Sequence, residues 1–375
     1  MRISSLRLHW VRIPFHEPFR ISSGEVSLKD AVLIELQADG RRAGEKVTGW
    51  GEASPMAGAF YSAETPESTW DFLCKRLALE MLAQPERSAE EFAVWLAEIP
   101  GEPFAKAGLE GAVWDLHCQK ISKPLWAILG GRKRPIPSGA AIGLMATLED
   151  LLDRVEKFLR LGYRRIKIKI APGHDVALVR AVRQRFGDIP LMVDANAAYH
   201  LKDALVFEEL DRLGLMMIEQ PLARDAISEH AELQSRLRTP ICLDESADNL
   251  KSISEIIQLG SARILNIKVQ RMGGLWLAGQ AHDAAKAVGI PCWLGTMPEL
   301  GIASAQGLHL ATLPNFSFPS DVEASSRWYA DDIITPLIEV SKDGYISLPD
   351  GPGMGYQVDA AKVSRYRIRQ AEFCA

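Results

Sequence analysis

Lys169, Asp194, Glu219, Asp244 and Lys268 stand 25, 25, 25 and 24 residues apart. Five ionisable side chains at so constant a step can converge on one reaction centre. The three carboxylates are hard oxygen donors suited to Mg²⁺ or Mn²⁺, with positions left open for a substrate. The two lysines would put a base on each side of it. Taken singly, an acidic residue after an apolar run is ordinarily a helix N-cap. Three in period are harder to explain that way, because like charges brought together need a cation or lysines to neutralise them. In Ile166-Lys167-Ile168-Lys169-Ile170 both lysines share one strand face and three isoleucines the other. A parallel sheet is covered on both faces, so inward lysines need carboxylate partners. Lys268 is placed to face Lys169 across the mouth, where nearby positive charge is expected to lower a lysine's pKa towards neutrality.

The elements that must position these groups follow from the same step. A strand, turn, helix and return loop use about 25 residues, so the spacing marks repeated strand-helix units. Each of the five residues ends a short apolar run that reads as a parallel strand: 166–170, 190–193, 215–218, 240–243 and 264–267. Seven helical patterns, 145–161, 176–186, 202–213, 225–237, 250–259, 275–288 and 301–313, lie between eight strand-like runs that begin at 136–142 and end at 315–319. The expectation is an α/β fold: a (β/α) TIM-type barrel with its final helix lost or altered, whose strand C-termini carry the chemistry.

Residues 1–130 read differently. Alternating runs at 3–13 and 30–37 and a short third strand at 49–53 precede helical patterns at 65–82, 89–98 and 105–121. This is an α+β N-terminal capping domain, followed by the modified barrel with the active site over 131–330. Residues 331–375 are expected to form a C-terminal segment returning to the cap, through strands at 336–340 and 345–346.

Composition narrows the function classes. The chain has 375 residues, 47% apolar and 24% charged, so it can bury a large core and leave a smaller second domain. A net charge of -5 without a basic stripe argues against nucleic acid. No leader-like N-terminus and no apolar run near 18 residues point to a soluble cytoplasmic protein without a membrane role. Five widely spaced cysteines without a Cys-x-x-Cys pair read as reduced core thiols.

The run of Lys167-x-Lys169, Asp194-Ala-Asn196, Glu219-Gln-Pro221, Asp244-Glu-Ser246 and Asn266-Ile-Lys268 resembles the enolase superfamily in its muconate-lactonizing subgroup. The resemblance implies Lys169 and Lys268 as acid/base pair and Lys167 as a group polarising the substrate carboxylate. It further implies Asp194, Glu219 and Asp244 as Mg²⁺ ligands, with Asn196 and Glu245 as partners that orient a ligand or a lysine. A Lys base working with Mg²⁺ to stabilise an ene-diolate is a known pattern of that superfamily. The stretches 18–24, 105–110, 114–116, 217–222, 239–246 and 313–316 are similar to the branch of o-succinylbenzoate synthases that includes N-succinylamino acid racemases. That branch implies removal of the proton α to a carboxylate, then either loss of hydroxide on the menaquinone route or reprotonation from the opposite face.

Gly295-Thr-Met297-Pro-Glu299, Ala141 and Asp321-Val-Glu323 depart from that branch at the specificity wall. Dipeptide epimerases of the subgroup hold an ammonium with an Asp-x-Asp pair at that end of the barrel, so Glu323 keeps the epimerase alternative open, beside a cycloisomerase. Phe19, Phe60 and Tyr61, in glycine- and serine-rich loops of the cap, and Met297, after the seventh strand, are the other candidates for substrate contact. The aromatics have an equal alternative as cap-to-barrel packing. A Schiff-base aldolase would not need three periodic carboxylates, and a non-catalytic binding protein would not need the full acid, base and ligand set. The expected partner is a small-molecule carboxylate, and the expected assembly a homo-oligomer.

Overall fold

The computed structural model describes residues 1–375 apart from 22–23, 41, 43 and 59–61, and apart from the side chains of 19–21. The cap is built on an antiparallel sheet of Ile3–Ile21, Gly24–Asp39 and Lys46–Ala53, with Arg367–Cys374 pairing on the outer edge of the first strand. Most of Lys29–Leu36 is buried, because the sheet is covered by Pro103–Ile121, a helix whose residues are buried nearly all round. Glycines allow that helix so close. A Cβ on Gly51 would lie 1.9 Å from the Gly108 carbonyl oxygen, and one on Gly49 2.3 Å from Leu116 N. Backbone approach of this kind excludes any side chain.

The second layer is the barrel. Seven parallel strands, Ala140–Ile142, Ile166–Lys169, Leu191–Asp194, Ile218–Glu219, Ile241–Leu243, Ile264–Ile267 and Cys292–Leu294, pair in chain order. The eighth position is irregular. Residues 315–320 close the ring by single parallel bridges, Phe316 to Cys292 on one side and Ser320 to Ser138 on the other. Helices return between the strands close to the expected bounds, with Val176–Phe186 and Leu250–Leu259 matching at both ends. After the eighth position come the four-residue turn Ser325–Trp328 and, later, the helix Ala360–Tyr366.

Three expectations need correction. Tyr345–Ile346 pairs with Ile136–Pro137 at the start of the first barrel strand rather than with the cap, and the strand near 336–340 is Ile334–Thr335, paired with Gln357–Val358. The segment that does return to the cap sheet is Arg367–Cys374. Residues 19–21 and Gly24 are paired antiparallel strand rather than free loop, since the first strand runs to Ile21 and the second begins at Gly24. The cysteines carry no disulfide, but Cys374 is exposed and Cys74 half-buried, so not all are core thiols.

Candidate active site

Parallel pairing places Lys169 opposite Asp194 and Asp194 opposite Glu219. The near-constant step therefore becomes a row of charged groups at the strand ends, with Asp244 directly after Ile241–Leu243 and Lys268 directly after Ile264–Ile267. Below this row the barrel is filled by Met192, Met217, Cys242, Ile264 and Trp293. Arg165 and Lys167 lie over the Trp293 ring, 4.6 and 4.9 Å from its centre, so the indole face supports two cations at the floor of the site.

The charges are paired tightly. Lys167 Nζ donates to Asp321 Oδ2 at 2.6 Å and lies 3.2 Å from Glu219 Oε2. Arg165 holds the other Asp321 oxygen. Lys169 Nζ donates to Asp194 Oδ2 at 2.5 Å and to Asn196 Oδ1 at 2.6 Å. Lys268 Nζ donates to Asp244 Oδ2 at 2.9 Å, and Arg271 holds the remaining Asp244 oxygen. Asn266 Nδ2 donates to Glu219 Oε1 at 2.7 Å, and Asn196 Nδ2 to Glu245 Oε1 at 3.0 Å.

Burial and charge set the protonation states. Burial alone disfavours the Lys167 ammonium, but Asp321, Glu219 and Asp194 outweigh it, so this proton is held more firmly than on a free lysine. Lys167 is accordingly a fixed cation. Burial would likewise raise Asp244, but Arg271 and Lys268 hold it well below the usual carboxylate range. Asp321 is kept at about 2 by Lys167 and Arg165 against its burial. Glu219 goes the other way. Burial, then Asp194, push it up to about 8 against the pull of Lys167.

Glu219 is the test of whether a divalent cation fits. Its Oε2 is buried without a hydrogen bond, the Lys167 contact having ion-pair distance but not hydrogen-bond alignment. An all-oxygen set with an unsatisfied, charge-crowded carboxylate suits a hard cation. Among the described residues no three His, Cys, Asp or Glu side chains stand ready-grouped for a metal, because lysine amines occupy the oxygens a cation would take.

These groups surround a pocket whose wall includes Lys167, Lys169, Asp194 and Lys268. Met297 and Glu323 line it, together with Met56 and Trp328. Glu323 is 4% exposed; one oxygen accepts from Ala141 N–H at 3.1 Å, while Oε2 has no hydrogen bond and lies 3.4 Å from Arg327 Nε. Burial pushes this carboxyl up to about 7, with Arg327 opposing. Phe60 and Tyr61, and the side chain of Phe19, lie outside the described residues. Glu219 and Asp244 line no part of this wall; they sit behind it, held by Asn266 and Arg271.

Several residues of the site were not singled out from sequence. Arg165 had a readable signal, since Arg165, Lys167 and Lys169 alternate with three isoleucines and must share one face. Gln220 had none. It adopts left-handed backbone, with φ of 38°, as do Asn196 at 42° and Ala197 at 61°. Non-glycine residues there cost about 1 kcal/mol or more each, and such strain clusters at functional sites. Here it turns the chain sharply out of the barrel just after Asp194 and Glu219.

Residues 150–362 match the enolase C-terminal domain-like family, and residues 4–130 the mandelate racemase / muconate lactonizing enzyme N-terminal domain. The chain is 44% identical over 367 residues to an o-succinylbenzoate synthase from Geobacillus kaustophilus, covering 98% of this chain and 96% of that one. It is 42% identical over 356 residues to an N-succinylamino acid racemase from an Amycolatopsis species, covering 95% of each. Its backbone is similar to the crystal structure of an enolase-superfamily member from Listeria innocua, with a TM-score of 0.94, 35% identity, and 100% and 99% of the two chains covered. The chain is therefore an enzyme of the enolase superfamily, with a cap and barrel of the mandelate racemase and muconate lactonizing type.

Proposed function

We propose that this enzyme removes the proton α to the carboxylate of a small-molecule substrate, acting as an o-succinylbenzoate synthase, an N-succinylamino acid racemase, or both. The observation that carries the reading is Lys169 and Lys268, held on carboxylates four strands apart in the ring and both lining one pocket. One amine takes the α-proton as the C–H bond breaks, and the electron pair passes into the carboxylate as an ene-diolate. In synthesis that pair expels the β-hydroxyl, which leaves as water after taking a proton. In racemisation the opposite lysine delivers a proton to the other face.

Lys167, fixed as a cation, opposes the charge that develops on the substrate carboxylate. Asp194, Glu219 and Asp244 would hold Mg²⁺, or Mn²⁺, in keeping with general Mg²⁺ use across the superfamily. Such a cation supplies further charge stabilisation at the same carboxylate. Asn196 orients Lys169 by its 2.6 Å hydrogen bond and is itself held by Glu245. Met297 and Glu323, which line the pocket, would form part of the specificity wall. A symmetric homo-oligomer is included in the proposal as its working form, to be checked by light scattering.

A second reading has its own observation. Glu323 presents a buried oxygen without a hydrogen bond to the same pocket, which would suit the ammonium of a dipeptide and an epimerase. The test is α-proton exchange in D₂O across N-succinylamino acids and dipeptides, beside turnover of the synthase precursor. Activity lost in EDTA and restored by Mg²⁺ supports the reading. Exchange that survives in Lys169→Ala and Lys268→Ala alike overturns it.

A further inference from the structure

Two residues beyond Lys268, Gln270 is 2% exposed, and its carboxamide is turned to the cap. Its Nε2–H donates to the Glu52 carbonyl at 2.9 Å, and its Oε1 accepts from Ser54 N–H at 3.0 Å. An amide that bonds the carbonyl of one residue and the N–H two residues on does what a residue of a parallel neighbouring strand does. One side chain thus extends the cap's sheet hydrogen bonding onto the barrel. Gln270 belongs to the short helical turn Val269–Met272, which begins at Lys268; Met272 N–H closes on the Lys268 carbonyl at 3.0 Å.

The same stretch of cap is anchored a second time. The Glu52 carboxylate accepts from Leu300 N–H at 2.8 Å and Ala303 N–H at 2.9 Å, just after Met297, and Lys29 Nζ donates to the Ser54 carbonyl at 3.2 Å. Two residues beyond Ser54 comes Met56, in the pocket wall. Residues 52–56 are therefore held between the segment that carries Lys268 and the segment that carries Met297.

We propose that Gln270 is a positioning residue for Lys268, setting the amine against the substrate and tying its placement to that of the cap's Met56. The inference rests on the reading that Lys169 and Lys268 serve opposite faces of the α-carbon. Gln270 lines no part of the pocket, and its turn starts at Lys268, so the expected effect falls mainly on the Lys268 side. A misplacement near 1 Å can cost about 100-fold.

The experiment follows deuterium incorporation by NMR from N-succinyl-L-phenylalanine and N-succinyl-D-phenylalanine separately, in wild type, Lys169→Ala, Lys268→Ala, Gln270→Met and Gln270→Glu. Methionine keeps the length and buried volume without the hydrogen bonds; glutamate keeps the acceptor for Ser54 N–H. Gln270→Met is expected to lose about 10- to 100-fold on the enantiomer that Lys268→Ala silences and under about threefold on the other. Gln270→Glu is expected to lose less, on the same enantiomer, and decides the matter alone should the methionine variant fail to fold. Equal loss on both enantiomers, or no loss, while Lys268→Ala remains face-selective, overturns the positioning role only. Absence of exchange in wild type, or of face selectivity in Lys268→Ala, overturns the two-lysine reading and this inference with it.

Discussion

We propose that Glu323 sets which substrates the pocket accepts, and the expected effect follows from its surroundings. Its carboxyl rises from an ordinary 4.5 to about 7 through burial, which sets about 3 kcal/mol against ionisation in place. Below pH 7 the group is neutral and can donate a hydrogen bond to a succinyl carboxylate. Above pH 7 it is an anion facing that carboxylate. Two like charges at about 5 Å repel by about 3 kcal/mol at an effective dielectric constant near 20. Arg327, 3.4 Å from Oε2, offsets part of this, leaving about 1.4 to 3 kcal/mol, or ten- to about a hundredfold in kcat/KM.

The expectation is that kcat/KM for N-succinylamino acids falls as pH rises through about 7 in the wild type. In Glu323→Gln, which keeps the acceptor for Ala141 N–H and cannot ionise, that limb disappears, whereas limbs due to the lysines remain. A dipeptide with a free ammonium should behave oppositely, gaining as Glu323 ionises and losing in both Glu323→Gln and Glu323→Ser. Profiles for succinyl substrates that are superimposable in wild type and Glu323→Gln would refute the argument. Wild-type preference for dipeptides, lost in Glu323→Ser, would establish the epimerase reading in place of the synthase and racemase.

Mg²⁺ should raise the wild-type Tm in proportion to the logarithm of its concentration, and Asp244→Ala should abolish that rise; retention of wild-type metal affinity in the variant would remove Asp244 from the ligand set. Gly51→Ala should cost about 3 kcal/mol or prevent folding, read by urea denaturation, because its Cβ would meet the Gly108 carbonyl at 1.9 Å. Glu110 accepts from Trp114 Nε1–H and from Trp276 N–H, fastening the cap to a barrel helix, and burial lifts its carboxyl to about 7. A carboxyl raised in the fold stabilises most below its unfolded value and loses that contribution as pH rises through the folded one. Wild type should therefore lose up to about 3 kcal/mol relative to Glu110→Gln between pH 4.5 and 7, measured by denaturation at each pH.

What was legible in the sequence was whatever the chain repeats. Lys169, Asp194 and Glu219 announce themselves because parallel pairing in register turns a constant step along the chain into a row across the sheet. The partners of those groups break the period. Asp321 sits on the irregular eighth segment, and Arg165, which holds it, is 156 residues away. Arg367–Cys374 was missed for a different reason: as an edge strand carrying Arg367, Arg369 and Glu372 it has little apolar alternation, since charged edges discourage pairing with other chains. Tyr345–Ile346 is too short to indicate which strand it joins.

Gln270 shows where residue type stops being informative. In Lys268-Val269-Gln270-Arg271 nothing marks the glutamine, because its acceptor and donor partners are backbone groups more than 200 residues away, which leave no trace in sequence. Glu323 is the same lesson in charge. As a residue type it is an anion that should repel a succinyl group and select an ammonium; burial pushes its carboxyl up to about 7, with Arg327 opposing. The proposed reaction rests on groups whose type is readable, two lysines and three carboxylates. The proposed selectivity rests on a group whose chemistry the fold sets, since burial raises the Glu323 carboxyl to about 7.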